Sequence, residues 1–199
     1  KDAADEVAKK KDNAWKLMKQ ARELVDAKKW SEAKVPLERL VELGVVFAQR
    51  DGPLEQLAMV YRELGESEKE KETLRRINMI SSDSLTALAR LIEFAKQEND
   101  WDAMLAHGEK WLAIQPLLVT GHESVIEAAT QLQRSDVAVQ SLLALSQMNP
   151  IDPAGLDLRI AKVQWTLGEG DLAKRRILQA LELAPRYREA HQWLRKVTS

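Results

Sequence analysis

Three prolines set a regular spacing in this chain. Pro116 and Pro150 stand 34 residues apart and Pro185 follows 35 later, each closing an apolar segment: Leu112-Ala113-Ile114, Leu145-Ser146-Gln147-Met148 and Leu181-Glu182-Leu183-Ala184. A period of this length constrains the fold more than composition does. A unit of that size cannot bury its apolar face alone and must stack on its neighbours. Sliding the chain on itself by 34 aligns Ala58, Ile92 and Ile126, joined by Ala161 after one extra residue. A second column holds Leu74, Gly108, Leu142 and Ile177, and a third holds Glu70, Met104, Ala138 and Ala173.

Within the period the apolar residues recur at helical spacing, and no stretch alternates with the β-branched and aromatic enrichment of a strand. The chain therefore reads as all-α. Asp51-Gly52-Pro53 and Asp152-Pro153 are helix starts, since proline loses nothing at a first-turn position. Ser67-Glu68-Lys69-Glu70 reads as a capping box, with Glu70 reaching back, and Ser31 as an N-cap. The signals predict helices over 3–28, 31–43, 53–64, 67–79, 83–97, 101–114, 117–132, 135–148, 153–166, 170–183 and 187–197. Links this short join antiparallel neighbours, so the unit is a helical hairpin.

These residues resemble the tetratricopeptide repeat (TPR), a two-helix unit with small residues at fixed slots and a closing proline. Residues 154–187 carry Ile160-Ala161, Leu167-Gly168, Ala173, Ile177, Ala180 and Pro185 at the corresponding positions. Residues 51–84 carry Leu57-Ala58, Tyr61 and Leu64-Gly65, with Glu70 where a small residue is expected. Segments 85–118 and 119–152 keep the spacing, and 14–47 forms an earlier copy followed by three extra residues. The resemblance implies a single array over 1–199, a right-handed α-solenoid with a capping helix at 186–198 and a charged extension at 1–13.

Composition narrows the function. The 30 Lys plus Arg against 31 Asp plus Glu leave a net charge of -1, which provides no global field for nucleic acid or an anionic membrane. Lys9-Lys10-Lys11, Arg75-Arg76 and Lys174-Arg175-Arg176 are diluted by acids and read as solvated helix faces. With no cysteine, disulfides and thiolate chemistry are excluded. The longest apolar runs, such as Val45-Val46-Phe47-Ala48, fall far short of the roughly 20 residues of a membrane span. No membrane insertion is expected, and the residues indicate no compartment. The opening Lys1-Asp2-Ala3-Ala4-Asp5-Glu6, without Met, reads as a processed product or an excised piece.

Chemical motifs dissolve on inspection. His122-Glu123 opens like a zinc-protease helix, but Ile126 stands where the second histidine belongs. His107, His122 and His191 fall in different units, so no metal or catalytic cluster is expected. Gly168-Glu169-Gly170 matches part of a dinucleotide fingerprint but follows a helix, and reads as a tight turn. Ser31-Glu32-Ala33-Lys34 lacks the companion motifs of a serine hydrolase. Neither a cofactor nor an enzymatic activity is expected. Trp30 and Trp101 share a column, and most of the six tryptophans read as packing between helices.

The resemblance implies a protein-interaction module that takes a peptide or protein segment in a groove lined by the first helix of each hairpin. Carried over, that groove holds Met18 and Arg22, then Met59 and Arg62, then Glu93, Glu127, Lys162 and Trp165. Glu93, Glu123 and Glu127 make its middle acidic, with basic residues at both ends. The slots of a chaperone carboxylate clamp hold Met18, Arg22, Gln56, Thr86 and Arg90, of which Arg90 alone matches. Two other readings stand beside this one: a non-catalytic docking or spacer region of a larger enzyme, and self-association through exposed repeat surfaces.

Overall fold

The structure is a computed structural model that describes residues 2–44, 52–81 and 83–198, with side chains from Asn13 onward. The described residues form helices joined by short turns, with no strand among them: α1 (Asp2–Asp26), α2 (Trp30–Glu42), α3 (Pro53–Glu63), α4 (Ser67–Ile80), α5 (Leu85–Glu98), α6 (Trp101–Ile114), α7 (Val119–Gln131), α8 (Ser135–Ser146), α9 (Pro153–Thr166), α10 (Gly170–Leu183) and α11 (Arg188–Thr198). The apolar run at Val45–Ala48, the three extra residues after the first copy, and Asp51 lie outside the described residues, as do the side chains of Lys9-Lys10-Lys11.

The repeat is written most plainly in the turns. Each hairpin closes on one residue in the left-handed region: Lys28 (φ 56°), Gly65 (72°), Asn99 (57°), Gln133 (58°) and Gly168 (78°). The next N–H then reaches back to a carbonyl of the last helical turn. Lys29 donates to Leu24, Glu66 to Tyr61, Asp100 to Ala95, Arg134 to Ala129 and Glu169 to Gln164, at 2.8–2.9 Å. This is the Schellman closure, which satisfies orphaned helix-end carbonyls while reversing the chain.

Every residue of the three sequence columns is buried. Small residues there bring helices close: a Cβ on Gly108 of α6 would lie 2.9 Å from Val125 Cγ2 on α7. Glu70 is the exception in chemistry and not in place, being buried in the slot that Ala138 and Ala173 fill in later copies.

Packing divides the chain into two compact units, residues 1–91 and 92–199. In the first, Ala21 of α1 meets Ala33, Leu37 and Leu40 of α2 and Leu57, Val60 and Tyr61 of α3. Tyr61 donates its hydroxyl to Glu38 at 2.8 Å. Burial, then that hydrogen bond, pushes the phenol well above its ordinary pKa. In the second unit, successive clusters gather around Met104 and Val125, around Leu142 and Ile160, and around Ala161 and Ile177. The last of these receives Ala190 of α11, with Trp193, Leu194 and Val197 beside it.

Two expected caps are absent. The N-cap of α4 is Glu66, with no side-chain cap bond, and Glu70 turns inward to a partner on α5. Likewise α2 starts at Trp30, so Ser31 lies within its first turn. Asp152 does cap α9, accepting from the Gly155 amide at 2.8 Å ahead of Pro153.

Candidate functional site

In the first unit the expected groove residues come from α1 and α3. Met18 is half-buried against the core, while Arg22 is exposed. On α3, Glu55, Met59 and Arg62 follow one another at spacings of four and three, which places them on one helical stripe. That stripe lines a cavity of about 260 Å³ with Ala58, with Leu74 and Ile77 of α4, and with Thr86 and Ala87 of α5.

The polar wall of this cavity is an ion pair. Arg90 Nε donates to Glu70 Oε1 at 2.6 Å and Nη2 to Oε2 at 3.1 Å. The Glu70 side chain is 3% exposed and that of Arg90 20%. Bidentate geometry of this kind compensates a carboxylate that would be costly to bury alone. It also removes the one clamp slot that matched, because the guanidinium is held by the protein. Arg62 and Arg22, by contrast, form no ion pair among the described residues.

The second unit treats its charges differently. Lys96 of α5 reaches Glu127 of α7 at 2.7 Å, Arg159 of α9 grips Glu123 of α7 at 2.7 and 2.8 Å, and Lys162 of α9 reaches Glu189 of α11 at 2.6 Å. Each pair joins one first helix to the next, so three rungs run along this face. The Arg159 hydrogen bonds hold the Glu123 carboxyl below the usual carboxylate range, and the Glu123 bonds raise Arg159. The acidic middle read from the sequence is thus internally balanced: Glu123 and Glu127 are neutralised, and Glu93 is exposed but engaged in a contact of its own.

Between these rungs lies a cavity of about 510 Å³, lined by Leu156, Leu158, Arg159 and Lys162 of α9, by Val119 and Glu123 of α7, and by the α8–α9 link. Trp165 does not line it. The indole is half-buried against the cluster of Ala161, Ala173 and Ala190. Met59 and Arg62 are therefore brought together, Lys162 joins Glu123, and Trp165 is spent on packing the last hairpin.

The histidines have structural partners. His122 Nε2 lies 2.9 Å from the Pro116 carbonyl and His191 Nε2 2.8 Å from that of Pro185, the same six-residue bridge two periods apart. A carbonyl only accepts, so Nε2 carries the proton in both. No group of three metal-ligating side chains occurs among the described residues.

No protein-family model matches the sequence, and no curated protein matches it. Solved structures do. A MamA structure (AMB-1) superposes with a TM-score of 0.61 at 18% identity, covering 87% of this chain and 92% of that one. A second MamA (MSR-1) gives 0.55 at 20% identity over 87% and 97%. The TPR domain of P58(IPK) gives 0.52 at 14% identity, over 93% of this chain and 64% of that domain. The fold is the TPR fold. At these identities the likeness is one of architecture.

Sequence reasoning missed the rungs and the Glu70–Arg90 pair. A signal existed in the opposite charges that fall close to one period apart, such as Lys96 and Glu127 at 31 residues and Glu123 and Arg159 at 36.

Proposed function

We propose that this chain is a non-enzymatic protein-interaction module that binds a peptide or protein segment on the face presented by the first helices of its TPR hairpins. The observation that carries this reading is the placement of concave space: in each unit a cavity opens where first helices line it, at Glu55, Met59 and Arg62 on α3 and at Leu158 and Lys162 on α9. Concave, largely apolar sites with a few oriented polar groups are where ligands lodge. The TPR likeness, which includes a domain solved as such, supports the same reading.

Selection of a random-peptide display library on the full chain tests it. Enrichment of sequences whose binding is competed by one another and reduced by Arg22→Glu with Arg62→Glu, or by Lys162→Glu, is the expected result. A library that yields no binder on a chain shown to be helical by circular dichroism overturns the reading.

A further inference from the structure

We propose that the α3–α5 cavity of the first unit is a recognition pocket for an acidic peptide segment carrying one large apolar anchor. The inference rests on the interaction reading above and names the ligand chemistry. Its first support is size. At about 260 Å³ the cavity lies below the roughly 300–1,000 Å³ of a site for a drug-sized molecule, and fits one inserted side chain.

The second support is the lining. Ala58, Leu74, Ile77 and Ala87 are each at most 5% exposed and supply an apolar floor. Met59, 38% exposed at the rim, is a flexible thioether suited to closing over an anchor.

The third support is charge. Glu70 is matched by Arg90 in a bidentate pair, and Glu55 has a contact of its own. Arg62 is exposed on the rim, and Arg22 on α1 of the same unit adds a second cation that forms no ion pair among the described residues. An anionic segment gains from this arrangement and a cationic one is repelled. On the first-helix face of the second unit, by contrast, Lys96, Arg159 and Lys162 are each held in a rung. The proposal therefore places ligand polarity in the first unit.

Fluorescence anisotropy on the full chain decides it with three labelled synthetic peptides of about 12 residues. One alternates Glu and Asp around a central Leu-Phe pair, the second replaces its acids by Lys, and the third replaces Leu-Phe by Ala. The first should bind about tenfold more tightly than either other, with affinity falling as salt is raised. Arg62→Glu should weaken it about tenfold, Arg62→Lys should retain most of it, and Thr86→Trp, at an exposed position lining the cavity, should block it. Lys174→Glu, at an exposed position of α10 outside both cavities, should leave it unchanged. All these positions are at least partly exposed, so helicity should persist. Equal binding of the basic twin, or indifference to both Arg62→Glu and Thr86→Trp, overturns the proposal. If none of the three peptides binds while the display library still yields binders, this pocket assignment falls and the interaction reading stands.

Discussion

Glu70 survives in a slot meant for a small residue because Arg90 comes with it. The consequence for mutation runs against the repeat pattern. Glu70→Ala installs the residue that later copies use, yet it removes the bidentate partner of a guanidinium that is mostly buried, and should cost about 2–3 kcal/mol in urea unfolding. Adding Arg90→Leu should recover most of that loss, because an apolar pair needs no compensation. The expectation fails if Glu70→Ala alone is neutral. None of this was legible from the sequence, where Glu70 looked like the far half of a capping box. The local motif and the tertiary partner, 20 residues away on another helix, competed for one carboxylate, and the bidentate pair won.

At the scale of elements, the helices and their order were legible because the 34-residue period and the helical spacing of apolar residues point the same way. Boundaries at proline-marked starts came out as expected, whereas α7 and α8 proved shorter, with Gln147 and Met148 drawn into the turn before Asn149 at φ 51°. Three of the five hairpin closures were hidden, since Lys28, Asn99 and Gln133 adopt a conformation that glycine would advertise. The hidden closures are testable. Gln133→Gly should raise stability by about 0.5–1 kcal/mol in thermal melts, because relief of the left-handed backbone outweighs the added freedom of the unfolded chain. Gly168→Ala should cost about 1 kcal/mol; no atom lies within 4 Å of the added Cβ, so that loss is purely conformational. Asp152→Ala, which removes the acceptor for the Gly155 amide, should cost about 1 kcal/mol by thermal melt.

For the whole molecule, acid is the informative stress. Lys34 and Lys69 hydrogen-bond Glu66 and lower its pKa, as Arg159 lowers that of Glu123. A depressed carboxyl contributes stability that is fully present above its ordinary value of about 4.3 and is lost as pH falls through the lower folded value. The melting temperature should therefore decline as pH drops from about 5 toward 3, and Glu123→Gln should flatten part of that decline. A profile unchanged by the substitution would remove Glu123 from the account. The candidate site was legible in outline, as positions on first helices, because the repeat register transfers geometry. Which charges remain open was not, because pairing depends on side chains one hairpin away: Lys162 looked available and is bound to Glu189, while Arg62 forms no ion pair among the described residues.

The three rungs of the second unit have a mechanical meaning. Lys96–Glu127, Glu123–Arg159 and Lys162–Glu189 are at least one-third exposed on every partner, so water and ions reach them. Contacts of that kind weaken as electrolyte is added, whereas the apolar clusters beneath do not. The face they cross should then behave as an elastic element whose stiffness is set by the surrounding solution, taut in dilute buffer and compliant in brine.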